Sequence, residues 1–271
     1  QVTRNQGEKI MEAPDSQIAV TLYNLRDYCQ TESDLDRTLD KVCAIGYQAV
    51  QVSGTPLAAD VIRKQLDKHN LFCCATHENL QTISGDVAPL IDRLQTLECD
   101  FTALGAPPEE YRTTVEGVAR LVKIFNEQGA KLMEKGIRLG YHNHHFEFIR
   151  LPGTKKTMLE TFYDDTDSRC VSAEIDVHWV TRGGGSPVRW IRKVAGRMPV
   201  IHFKDFAVIG NNEPAFCEIG EGNLDWPAII EACRETGVRW YSIEQDALFQ
   251  NRDIFDSIKI SFHNLKAMGV K

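Results

Sequence analysis

A chain of 271 residues is long enough to bury one large core without dividing, so a single domain is the default reading. With 42% hydrophobic and 25% charged residues it has the balance of a soluble globular protein, and no apolar run reaches the length of a membrane span. A net charge of -7, with scattered Lys and Arg, argues against a broad nucleic-acid footprint, because phosphate binding draws on clustered cations.

Residues 1–16 are polar, hold Gly7 and Pro14, and read as a flexible lead-in without the layout of a signal peptide. The first strand is expected at 18–23, followed by a helix opened by Ser33 whose stripe is Leu35, Leu39, Val42 and Cys43. Gly46 closes it before strand two at 47–52; Pro56 starts the second helix, Asn70 ends it, and strand three follows at 71–76. Helix three covers 87–97 and strand four 100–104. The longest helix keeps Val115, Val118, Val122, Phe125 and Leu132 on one face until Gly136 stops it, and strand five is 137–143.

A helix at 157–163 leads to strand six at 171–177, and Gly183-Gly184-Gly185 makes a turn before the Ser186-Pro187 helix start. Strand seven is 200–203, with 207–222 read as its loop. Asp225 and Pro227 open helix seven, strand eight is 240–243, and Ile254, Ile258, Phe262 and Leu265 mark the closing helix. Eight apolar runs, each followed by an amphipathic stretch, predict an α/β fold: a single (β/α)8 TIM barrel over 17–271. The eight cysteines lack C-x-x-C spacing and several lie in apolar runs, which suits a reducing cytoplasm.

Metal-capable residues gather where the later strands end: Tyr141 to His145, Glu174 to His178, His202 to Asp205 and Glu244 to Asp246. Residues two apart on a strand share a face, which pairs His142 with His144 and Glu174 with Asp176. If those faces look into the mouth, Asp176, His202 and Glu244 converge from three neighbouring strands on one cation. Their oxygen and imidazole donors suit a transition metal better than Ca²⁺. Each group alone also has a bland reading as a surface or hydrogen-bonded core residue, and a salt bridge to Lys204 is the main non-metal alternative.

The sequence YHNHHFEF at 141–148, with EIDVHW, HFKD, Gly220 to Trp226 and IEQD, resembles the sugar phosphate isomerase/epimerase group of the xylose isomerase-like barrel superfamily over nearly the whole chain. The resemblance implies one divalent ion (Mn, Zn, Mg or Co) held by one ligand from each of strands five to eight. Asp176, His202 and Glu244 match three of these. At strand five, where epimerases of the superfamily carry glutamate, this chain has His142, with His144 one step further out. That departure tells against simple epimerisation and favours a likeness to inosose dehydratases and enzymes of 3-keto-sugars.

Glu244, Lys204, His142 and Glu147 are the candidate catalytic groups, Lys204 as an oxyanion stabiliser or proton donor. Candidate substrate contacts are His77, His144, Glu174, His178, Trp179 and Glu221. Glu147 and Glu174 have an alternative role orienting a ligand histidine, Trp179 one in core packing, and Glu221 one as a solvated loop residue. The reading is a metal-dependent isomerase, epimerase or lyase working through an enediolate on an unphosphorylated keto-sugar or keto-cyclitol. The rivals are a hydrolase of the AP endonuclease type and a non-catalytic sugar-binding barrel. No nucleic-acid or membrane partner is expected, and a homodimer is the expectation by analogy with similar barrels.

Overall fold

The computed structural model describes residues 14–271; the part of the lead-in at 1–13 lies outside them. In chain order the elements are β1 (Ile18–Thr21), α1 (Glu32–Ile45), β2 (Ala49–Val52), α2 (Ala59–Lys68), β3 (Phe72–Glu78), α3 (Leu80–Ser84), α4 (Ala88–Thr96), β4 (Phe101–Leu104), α5 (Val115–Met133) and β5 (Arg138–His142). There follow α6 (Met158–Asp165), β6 (Val171–Glu174), α7 (Val177–Arg182), α8 (Pro187–Lys193), β7 (Val200–Phe203), β8 (Asp205–Val208), β9 (Pro214–Cys217), α9 (Trp226–Thr236), β10 (Trp240–Ile243) and α10 (Ile254–Ala267).

Eight parallel strands run in the order β6-β5-β4-β3-β2-β1-β10-β7, and helices pack around them in a TIM barrel. The ring closes between β6 and β7 through an isolated parallel bridge of Asp176 with His202, whose N–H donates to the Ile175 carbonyl at 2.8 Å. The seam of the barrel therefore passes through two of the candidate metal ligands.

Strand alternation explains how one sequence fills two cores. Outward residues such as Ile18, Val20, Val50, Leu139 and Ile201 join the helix stripes in the larger cluster. Ala19, Ala49, Phe101, Ala103, Val200 and Trp240 form a separate smaller cluster that plugs the interior. Two residues further along the same inward faces stand Gln51, His142, His202 and Ser242, all buried. Gly140, two residues before His142, belongs to the apolar layer below, because an added Cβ would overlap the Phe101 ring. A dry floor thus lies beneath a polar layer.

Four local departures from the sequence reading have physical causes. Helix α1 starts one residue earlier than Ser33, because the Thr31 hydroxyl accepts from the Asp34 N–H and caps it. Helix α2 begins after Ala58 rather than at Pro56, with no side-chain cap. Strand six stops at Glu174, not 177, since the Asp176 carboxylate accepts from the Trp179 N–H at 3.0 Å and turns the chain into α7. The segment read as a loop at 207–222 contains an antiparallel hairpin, β8 with β9.

The hairpin is held by one buried carboxylate. Asp205 accepts from the N–H groups of Phe206, Gly220, Gly222 and Leu224 and from Trp226 Nε1, at 2.6–3.3 Å. A Cβ on Gly222 would collide with that carboxylate. Gly183 and Gly185 likewise make room for the Phe148 ring, and Gly184 between them takes a left-handed φ of +79°.

Candidate active site

The C-terminal ends of the strands surround a cavity of about 450 Å³ lined by, among others, His77, His142, His144, Trp179, Glu244 and Asp246. Each polar group is set by its backbone neighbours. Asn143 accepts from the Asp176 N–H at 3.1 Å, and Tyr163 donates to the Tyr141 carbonyl at 3.0 Å, fixing the end of β5. Asn24, in the 3-10 turn Leu22–Tyr28 after β1, brackets Glu244 by donating to the Ile243 carbonyl and accepting from the Gln245 N–H.

His142, Asp176, His202 and Glu244 come together, with one potential ligand atom from each lying within 4.8 Å of the others. His202 Nδ1 is 3.0 Å from Glu244 Oε2, and His142 Nε2 is 4.0 Å from Asp176 Oδ2. All four residues are buried. Two imidazoles and two carboxylates suit a divalent transition metal. His142 Nδ1 and Asp176 Oδ2 are buried with no aligned hydrogen bond, although Glu174 lies 3.2 Å from the first and Lys204 3.0 Å from the second. The donor types and the buried Asp176 Oδ2 fit a cation here, whereas His142 Nδ1 lies on the other side of its ring, toward Glu174.

Lys204 sits beside this set, fully buried, with its ammonium 3.0 Å from Asp176, 2.7 Å from Glu244 and 2.6 Å from Asp246. The salt bridge weighed as the non-metal alternative therefore forms, and to three carboxylates. Burial opposes the charge, but these carboxylates outweigh it and hold Lys204 above its ordinary pKa. Glu244 also resists burial and stays well below the carboxylate range through Lys204 and His202. Burial lifts Asp176 to about 6, with Lys204 pulling the other way.

A second ring of contacts centres on Glu174. Its carboxylate is fully buried, accepts from Gln51 Nε2 at 3.0 Å, and lies 2.5 Å from His77 Nε2 and 3.4 Å from His202 Nε2. The Gln51 carbonyl oxygen faces His202 Nε2 at 2.7 Å. Against the cost of burial, Glu174 and Glu244 raise His202 to about 10, whereas burial and His202 depress His142 to about 4.

The remaining predicted residues separate into wall and support. His144 and Trp179 line the cavity, and His144 is depressed to about 2 by burial, hence neutral. His178 lies behind them, donating from Nδ1 to the Asp205 carbonyl at 2.8 Å and stacking on Phe216 at 4.4 Å. Glu147 lies outside the cavity lining, where it accepts from Tyr141 Oη at 2.9 Å and from the His144 N–H at 2.8 Å. Glu221 is exposed and pairs with Arg252 at 2.6 Å, also away from the cavity wall.

Sequence reasoning missed Gln51, Asn24, Phe216 and the cavity-wall pair Tyr23 and Arg26, and it grouped Asp205 with the metal-capable residues, whereas its carboxylate holds the hairpin. Gln51 carried a signal, being an amide within the apolar strand run Ala-Val-Gln-Val. Phe216 carried none once its segment was read as a loop.

A parallel eight-stranded barrel with polar groups at its strand C-termini defines a TIM-barrel protein with its candidate site at the mouth. A family profile described as xylose isomerase-like TIM barrel matches residues 39–259, and the chain belongs to that family. Inosose dehydratase from Clostridium perfringens is 24% identical over 160 residues, 53% of this chain and 50% of its own length. The chain thus spans about half the length of that curated relative. A solved sugar phosphate isomerase/epimerase from Parabacteroides distasonis ATCC 8503 shares 22% identity at a TM-score of 0.79, covering 96% of each chain. An L-ribulose 3-epimerase shares 16% identity at a TM-score of 0.71, covering 94% of each chain. At these identities the two structures establish the fold.

Proposed function

We propose that the protein is a divalent-metal-dependent lyase or isomerase acting on an unphosphorylated keto-sugar or keto-cyclitol. The observation that carries this reading is the meeting of His142, Asp176, His202 and Glu244 from four strand ends beside Lys204, with His142 and Glu244 lining the cavity. Similarity to an inosose dehydratase and to sugar epimerases supports the substrate class and the choice of reactions. Eight cysteines without a disulfide, most of them buried, support a cytoplasmic setting.

His142, Asp176, His202 and Glu244 would hold the ion. When bound, it supplies Lewis-acid stabilisation of the negative charge that develops on a carbonyl oxygen as the neighbouring C–H is deprotonated. Glu244, kept ionised by Lys204 and His202, is able to take that proton, and Lys204 is the cation placed to donate to oxygen. Trp179 and Phe216 meet edge to face at 5.5 Å and present an apolar wall for a sugar ring. Return of the proton to another face or carbon gives epimerisation or isomerisation, and prior loss of a β-substituent gives elimination.

The test is a screen of inososes and keto-sugars in deuterated water. Metal-loaded protein is expected to place deuterium next to the carbonyl, and chelated protein to lose that exchange. Full exchange after verified metal removal would overturn the proposal.

A further inference from the structure

The imidazoles of His142 and His202 each separate two polar compartments. On one side lie Asp176 and Glu244, facing His142 Nε2 and His202 Nδ1. On the other side, His142 Nδ1, His202 Nε2 and His77 Nε2 approach the carboxylate of Glu174 at 3.2, 3.4 and 2.5 Å. These four residues also offer ligand atoms within 4.8 Å of one another. Three imidazole nitrogens and one carboxylate oxygen are a donor set for zinc, cobalt or a similar ion.

A hydrogen-bond network does not account for all of these atoms. Gln51 serves His202 Nε2 and one Glu174 oxygen, and His77 serves the other. His142 is 3% exposed, and its Nδ1, 3.2 Å from a Glu174 oxygen, has no aligned hydrogen bond. Leaving a buried ring nitrogen in that condition is unfavourable, and coordination would relieve it. His77 lines the open cavity, so this second compartment has an entry path.

We propose that His77, His142, Glu174 and His202 form a second cation position, an alternative to the one at Asp176 and Glu244. The inference rests on the metal-dependent reading above. A neutral imidazole has one lone pair in its ring plane, so His142 and His202 ligate on one side at a time. The two positions therefore compete for a single ion, and loss of one redirects the ion to the other.

Co²⁺ is titrated into the protein after chelation and removal of chelator, and bound metal is counted by elemental analysis and followed by its visible absorption. Wild-type protein is expected to take one equivalent. Asp176→Asn, which retains an oxygen to cap α7, is expected to keep one equivalent with a changed spectrum. In Asp176→Asn combined with His77→Ala or His77→Gln, affinity falls by more than about tenfold, a bound taken from outer-shell effects. Circular dichroism melts identify variants that remain folded, and the two His77 replacements guard against one that does not. Loss of the ion from folded Asp176→Asn alone would overturn the second position and leave the first intact. Unchanged affinity in both folded double variants would also overturn it. Wild-type protein that binds no ion would overturn the metal-dependent reading as well.

Discussion

Gln51 and His202 are joined at 2.7 Å across the polar layer of the barrel, while the other end of the same amide donates to Glu174 at 3.0 Å. One neutral side chain on β2 thereby fixes the ring plane of a histidine on β7. Gln51→Leu removes a donor and an acceptor from a fully buried position, leaving Glu174 and His202 each short of a partner. Chemical denaturation is expected to show a loss of about 1–3 kcal/mol. Metal affinity is expected to fall about 10- to 100-fold, the usual effect of losing an outer hydrogen bond to a ligand histidine. A variant with native stability and metal affinity would remove Gln51 from the site.

Lys204 is the only buried lysine among the described residues, and it compensates Asp176, Glu244 and Asp246 together. Lys204→Met keeps the length of the side chain but leaves three carboxylates facing one another. Breaking a buried ion pair from one side costs about 3–5 kcal/mol. The variant is expected to unfold at correspondingly lower denaturant and, where folded, to turn over about 10²- to 10⁴-fold more slowly if Lys204 handles the proton. Stability within about 1 kcal/mol of wild type would show that the carboxylates find another counter-charge.

The repeated alternation of apolar and amphipathic segments made the barrel legible, because each strand needs two dry faces and each helix one stripe. Asp176 and Glu244 stand out for a related reason: charged side chains directly following apolar strand runs need partners. Gln51 and Asn24 work through hydrogen bonds to residues more than a hundred positions away; the apolar run around Gln51 marks it as a buried amide, but no local pattern announces its partners or those of Asn24. The β8–β9 hairpin was hidden because its stability comes from Asp205 gathering the backbone of 220–224, rather than from its own sequence pattern. The sequence pattern extends strand six to Val177, which suits a strand by composition, while the Asp176 cap ends it at Glu174.

Glu147 gives a pH signature with a definite sign. Burial lifts its carboxyl from 4.5 to about 7, even though Tyr141 and the His144 N–H stabilise the charged form. Below about pH 4.5 both folded and unfolded states hold the proton, and its contribution to stability is fully present. Between about 4.5 and 7 the unfolded chain gives the proton up first, so stability falls as pH rises, by about 3 kcal/mol in all. Glu147→Gln cannot ionise and should lack this component. Unfolding free energies of both proteins across that window test it through the difference in slope, and equal slopes would show that Glu147 ionises as easily in the fold as out of it.

Asp205 should govern the hairpin that carries Phe216 to the cavity. It is fully buried, accepts four backbone N–H groups and one indole N–H, and presents its own carbonyl to His178. Asp205→Ala leaves these side-chain-bound donors without an acceptor, and charge-assisted bonds of this kind are worth about 1.5–3 kcal/mol each when measured singly. Their losses overlap, so the expected total is about 3–5 kcal/mol, the range of the largest point effects. Local opening should precede global unfolding, because the hairpin pairs only with itself and is not hydrogen-bonded into the eight-stranded sheet. Hydrogen exchange should therefore speed up at Gly220, Gly222 and Leu224 while the β1 and β10 amides stay protected. Uniform loss of protection across the barrel would instead assign Asp205 to global stability alone.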